Sequence, residues 1–192
     1  YKKFKAKQAK RRSTAEVADW KEIGPTYWNK TSGWNPGVGR VTSVAVDPNN
    51  YNHIIVGGNT GGVWRTTDKG ANWSPLSDNF TNLTVNSVAI DPQDSKIYYW
   101  GANSGIIYKS TDSGQNWDKI GSAGGSSINK ILIHPSNSNI IYISATYSGF
   151  YKSINGGNSW TKISNSNRGY DLEFKPGDPN TVYASGTSFY KS

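Results

Sequence analysis

The chain has 192 residues, no Cys, no Met and a formal net charge of +8. The absence of Cys excludes a disulfide framework and thiolate metal sites, and no apolar run approaches the roughly 18 residues of a membrane span. Residues 1–12 carry seven Lys and Arg and no acid, whereas the other 180 residues carry 14 basic and 13 acidic side chains, so the body is nearly neutral. It therefore lacks the basic stripe expected of a nucleic-acid-binding domain. Residues 1–16 read as a basic, solvated, partly helical leader, with contact to a polyanion or membrane surface as the alternative. Residues 17–192 read as the folded unit. A sequence without even an initiating Met reads as a mature or truncated segment of a longer precursor.

Aromatic and glycine content, with short apolar runs punctuated by Asn, Asp, Ser, Gly and Pro, predicts an all-β protein. In chain order, Trp20–Ile23 comes first, a short segment resembling the last strand of the units that follow. A run from Val41 to Pro48 then ends in a turn-forming Asp-Pro, and its relatives are 85–92, 128–135 and, more weakly, 170–176. Such β-branched runs predict buried strands. Second strands are predicted at 54–57, 97–100, 140–143 and 181–184, and third strands at 63–66, 107–110, 150–153 and 189–192. Fourth strands are predicted to open on Trp73, Trp117 and Trp160 and to end at Leu76, Ile120 and Ile163.

Between the third and fourth strands stands an octapeptide, Ser/Thr-x-Asp-x-Gly-x-x-Trp. It begins at Thr66 (Thr66, Asp68, Gly70, Trp73), again at Ser110 (Ser110, Asp112, Gly114, Trp117), and a third time at Ser153 with Asn for Asp (Ser153, Asn155, Gly157, Trp160). The recurrence every 43 or 44 residues defines a repeat. Four antiparallel strands per repeat is the composition of a β-propeller blade, which buries both faces against its neighbours. In the predicted turn the Asp oxygen accepts backbone N–H bonds, Gly supplies a backbone angle other residues avoid, and Trp packs beneath the turn. Asn155 keeps the acceptor oxygen and loses the charge. Sixteen strands would close as a four-bladed ring if Trp20–Ile23 completed the last blade. The preferred expectation is the N-terminal part of a larger ring of six or more blades.

These octapeptides resemble the Asp boxes, or BNR repeats, of sialidases, sortilin-type receptors and xyloglucanase-type glycoside hydrolases. The segment from Trp20 to Pro25, followed by Gly37–Val41 and a first box, is similar to the propeller start in large secreted proteins of Bacteroidetes-type bacteria exported by type IX secretion. The resemblance implies an extracellular or cell-surface location and a binding or adhesion module for glycans or protein partners. A glycoside hydrolase with catalytic residues beyond residue 192, and a scaffold in surface assembly or secretion, are the alternatives. In the xyloglucanase-type pattern the catalytic Asp falls at Asn59, beside Gly61, Gly62 and Arg65. An amide cannot serve as general base, and this hydrolysis needs two carboxylates.

Topology assigns the Asp boxes and the Asp-Pro turns, with Asp47 and Asp91, to one rim as turn caps. His134 falls at the same turn position and His53 stands alone, so no metal or other cofactor is expected. The opposite rim carries the loops between second and third strands and those leading into first strands. Candidate ligand-binding residues there are Arg40, Asn59, Thr60, Asn103, Ser104, Thr146 and Tyr147, with Asn86 and Asn129 nearby. Amides and hydroxyls pair with sugar hydroxyls, and Tyr147 offers an aromatic face. Plain loop chemistry accounts for the same composition. Arg40 is the only arginine expected on this rim.

Overall fold

The computed structural model describes residues 20–24, 40–124 and 127–192. The leader assigned to residues 1–16 lies outside the described residues. Four antiparallel sheets follow one another along the chain, and a single 3-10 turn at Asn103–Gly105 is the only helical element among the described residues. The first sheet comprises β1 (Val41–Asp47), β2 (Asn50–Gly58), β3 (Gly62–Thr66) and β4 (Ser74–Pro75). The second comprises β5 (Val85–Ile90), β6 (Tyr98–Ala102), β7 (Ile106–Ser110) and β8 (Asp118–Ser122). The third comprises β9 (Ile128–Ile133), β10 (Ile141–Ala145), β11 (Gly149–Ser153) and β12 (Thr161–Lys162). The fourth has three strands, β13 (Asp171–Lys175), β14 (Asp178–Ser185) and β15 (Phe189–Lys191). Each four-stranded sheet pairs its strands in sequence order, as hairpin follows hairpin.

Fifteen strands form among the described residues, and Trp20–Ile23, the sixteenth strand of the four-bladed alternative, joins no sheet. One expectation is corrected: the box tryptophans do not open the fourth strands, and each lies just before its strand and turns back toward the preceding segment of the chain.

The core lies between sheets. The two-residue period of a strand sends alternate side chains to opposite faces. Val88 and Ile90 of β5 therefore join Ile55, Val63, Tyr98 and Trp100 between the first and second sheets. Ala89, one residue out of phase, joins Tyr99, Ile107, Ile131 and Ile143 between the second and third. Tyr142, Phe150, Leu172 and Val182 form the third layer. The inner strands approach closely because Gly101 leaves room for the next sheet: a Cβ there would lie 2.6 Å from Ile128 Cβ.

Candidate functional site: two rims and an interlock

On one rim the three boxes share one hydrogen-bond plan. Thr66 Oγ1 donates to Asp68 Oδ1 (2.7 Å) and accepts from Gly70 N (2.9 Å). Asp68 Oδ1 also accepts from Asn72 N at 2.8 Å, and its Oδ2 from Asn72 Nδ2 at 2.7 Å. In the second box the corresponding bonds join Ser110, Asp112, Gly114 and Asn116 at 2.7–2.9 Å. In the third, Asn155 Oδ1 accepts from Ser153 Oγ (3.0 Å) and Ser159 N (2.9 Å). Donors converging on a carboxylate favour its charged form. The Thr66 hydroxyl, then the Asn72 backbone and amide, hold Asp68 down to about 2. The Asn116 backbone and amide, then Ser110, do the same for Asp112, also to about 2. Each box turn is tied to its own sheet at the start of the second strand or just before it, through Lys69 N to Asn52 O (3.1 Å), Ser113 N to Lys96 O (2.9 Å) and Gly156 N to Asn139 O (3.0 Å).

Each box also reaches back to the chain segment before its own sheet. Trp73 Nε1 donates to Ile23 O at 2.8 Å, and Trp117 Nε1 donates to Leu76 O at 3.0 Å. The box glycine presses on the same residue: Gly114 has φ 83, and a Cβ there would lie 2.6 Å from Leu76 Cδ1. Gly157 sits likewise over Ile120, while the Trp160 indole rests on Gly121. Ile23 thus takes the position of Leu76 and Ile120 although it belongs to no strand. A third tie runs forward, from Arg65 Nη1 to Ser113 O (2.8 Å) and from Lys109 Nζ to Gly156 O (3.1 Å).

His53 is not solitary. It is buried, with Nδ1 3.0 Å from Asp47 Oδ2 and Nε2 2.6 Å from the Tyr98 hydroxyl of the second sheet. Burial raises the Asp47 pKa, but hydrogen bonds from Ser95, Asn49 N and His53 outweigh it and hold the carboxyl below its ordinary range. The spacing in sequence gave no sign of this chain, because its members are six and 45 residues from His53. Among the described residues no group of His, Asp and Glu could hold a metal ion.

The opposite rim holds the candidate ligand residues. Asn59 N donates to Arg40 O at 2.9 Å, tying the first loop to the start of β1, and the Thr60 side of the loop is exposed. Asn103 Oδ1 accepts from Asn86 Nδ2 (2.9 Å) and from Ser127 Oγ (3.0 Å), so one amide links two sheets. Asn129 Nδ2 donates to Thr146 Oγ1 (2.7 Å) and to Gly169 O (2.6 Å). Ser104 and Tyr147 both adopt left-handed backbone angles, φ 61 and 62, which non-glycine residues seldom take. Tyr147 is 67% exposed. The Arg168 guanidinium lies over its ring, 4.4 Å from the centroid, and Nη1 is 3.5 Å from the Tyr170 hydroxyl. Arg40 is therefore not the only arginine of this rim. Arg168 escaped notice because it sits in the link before β13, the weakest of the four first-strand patterns.

The Sortilin-Vps10 family, described as sortilin, neurotensin receptor 3, matches residues 105–192. The fold is an Asp-box β-propeller. An ancestral GH74 enzyme superimposes with a TM-score of 0.71 over 92% of this chain at 24% identity, and the chain covers 24% of that enzyme. The GH74 xyloglucanase from Xanthomonas campestris gives a TM-score of 0.61 at 18% identity, over 78% of this chain and 28% of its own. YCF48 from Cyanidioschyzon merolae gives 0.57 at 16% identity, over 79% of this chain and 52% of its own. The propeller blades described here thus span about a quarter of the length of the GH74 structures. No curated protein matches the sequence. Among the described residues, no helix is long and apolar enough to cross a membrane.

Proposed function

We propose that residues 17–192 are the blades of an extracellular binding module that takes a glycan on the rim of second-to-third-strand loops. In this reading the ring contains six or more blades. The observation that carries the reading is the exposed Tyr147 face beside amides and hydroxyls already oriented by Asn86–Asn103–Ser127 and Asn129–Thr146 contacts. Oriented donors and acceptors lose little entropy on meeting sugar hydroxyls, and an aromatic face covers the apolar side of a pyranose. An array of neutral and acidic polysaccharides tests the proposal: binding that weakens on Tyr147→Ala, with the melting temperature kept, supports it. Binding confined to protein ligands would instead favour the scaffold reading.

A glycoside hydrolase is the second reading, favoured by the likeness to GH74 structures. Against it, Asn59 supplies an amide where that chemistry needs one of two carboxylates. Release of reducing ends from xyloglucan by the protein would establish hydrolysis.

A further inference from the structure

Three substitutions meet in the third box. Asn155 stands where the first two boxes have Asp68 and Asp112, Gly156 where they have Lys69 and Ser113, and Ser159 where they have Asn72 and Asn116. Lys69 and Ser113 take left-handed angles, φ 62 and 61, and Gly156 takes the same angle, φ 67, without a Cβ. Asn155 and Gly156 form the one Asn-Gly pair in the 192 residues. An asparagine followed by glycine is open to attack by the next backbone nitrogen, because no Cβ crowds the approach. Asn155 is exposed to water. The closed turn restrains both reacting groups. Gly156 N donates to Asn139 O at 3.0 Å, so its proton is engaged. Asn155 Oδ1 accepts from Ser153 Oγ and Ser159 N, and Nδ2 donates to Ser159 Oγ at 2.9 Å. All of these partners lie in the third sheet's own turns, and Asp68 is likewise exposed with three sheets following it.

We propose that Asn155 is a site of non-enzymatic deamidation, protected while the third box is closed and converted when it opens. Solvent base takes the Gly156 amide proton, the nitrogen attacks Asn155 Cγ, the Cγ–Nδ2 bond breaks and ammonia leaves. Water then opens the cyclic imide. Cleavage between the imide nitrogen and Cγ gives aspartate at position 155, and cleavage between that nitrogen and the backbone carbonyl carbon gives isoaspartate. The net change is one water consumed and one ammonia released. The box accepts the first product. Both side-chain partners are hydroxyls, and a hydroxyl donates or accepts as required. Ser153 Oγ already donates to Oδ1, and Ser159 Oγ turns from accepting the amide N–H to donating to the acid. The result matches the charged boxes of the first two sheets. Isoaspartate instead lengthens the main chain by one carbon and moves the capping group away from Ser159 N. That product loses the turn, and with it the contact of Gly157 and Trp160 with Ile120 and Gly121.

Peptide mapping by mass spectrometry, with aspartate and isoaspartate resolved, follows position 155 in the whole chain and in the free octapeptide Ser153–Trp160 at mildly alkaline pH. The octapeptide should convert faster, because in the folded chain only the open fraction reacts. Ser153→Ala removes the capping hydroxyl and should speed conversion in the chain by roughly fivefold to thirtyfold. Where that variant fails to fold, wild type in urea below its unfolding transition supplies the opening, and the same acceleration is expected. Gly156→Ser should suppress conversion in chain and octapeptide alike; a Cβ there would meet Lys109 Nζ at 3.5 Å and Asn139 Oδ1 at 3.6 Å, ordinary contacts. Asn155→Asp should melt no lower than wild type at neutral pH. Equal rates in the chain and the octapeptide would overturn the protection by the box. An Asn155 left intact under Ser153→Ala or urea, while the octapeptide converts, would overturn the site itself. Melting of Asn155→Asp well below wild type would overturn the acceptance of the product.

Discussion

Replacing Trp117 by Ala should loosen the joint between the first and second blades. A Trp→Ala change in a full core costs about 3–5 kcal/mol. The Trp117 indole is only half-buried, which reduces the apolar part to about 2 kcal/mol, in keeping with area-proportional burial. The lost bond from Nε1 to Leu76 O adds about 1 kcal/mol. The sum of about 3 kcal/mol corresponds to a fall of roughly 6–12 °C in Tm for a domain of this size. Trp117→Phe keeps a ring and loses the donor, so it should retain most of the packing contribution and cost less than Ala. Because the indole contacts Leu76, the Leu76→Ala and Trp117→Ala costs should fail to add, by roughly 0.5 kcal/mol or more. Urea denaturation of the two single variants and the double variant measures this. Strict additivity, or an unchanged Tm for Trp117→Ala, would refute the interlock.

Asp112→Asn should be milder than Asp112→Ala in thermal melts, because Asn155 maintains the third box turn with an amide. Asp68 and Asp112 are both held down to about 2. Their folded-state pKa is depressed, so their contribution is present above the ordinary carboxylate range and is lost as pH falls from about 4 through about 2; a Tm-versus-pH series on wild type and Asp112→Asn checks the sign. His53→Ala removes a partner from the buried Asp47 carboxylate and Tyr98 hydroxyl and should cost about 1–3 kcal/mol by urea denaturation.

The blade pattern was legible because it is local. Strand alternation, the Asp-Pro turns and the box octapeptide each occupy fewer than ten consecutive residues and recur in register. Contacts across blades were not legible. Trp117 meets Leu76 across 41 residues, and the octapeptide announces a turn without showing what its indole touches. Trp20–Ile23 shows the same limit: the segment has the composition of a fourth strand, but a strand exists only where a neighbour pairs with it. At the candidate rim, loop topology indicated Tyr147 and the amides. It missed Arg168, because the links between blades differ in length and sequence and give no repeat against which one arginine stands out.

The backward grip of each Asp box separates the unit of architecture from the unit of mechanical integrity. A sheet is assembled from one repeat, but its outer corner is gripped by the tryptophan and glycine of the next. As the chain leaves the ribosome, each blade stays unlatched until the following octapeptide emerges, so locking proceeds from the N-terminus with a lag of one repeat. The same asymmetry governs damage. A lesion in one box releases the blade upstream of it first, while the blade that carries the lesion remains latched by its successor. A cassette that could be duplicated without loosening its neighbours therefore runs from one box to the next, not from the first strand of a sheet to its fourth.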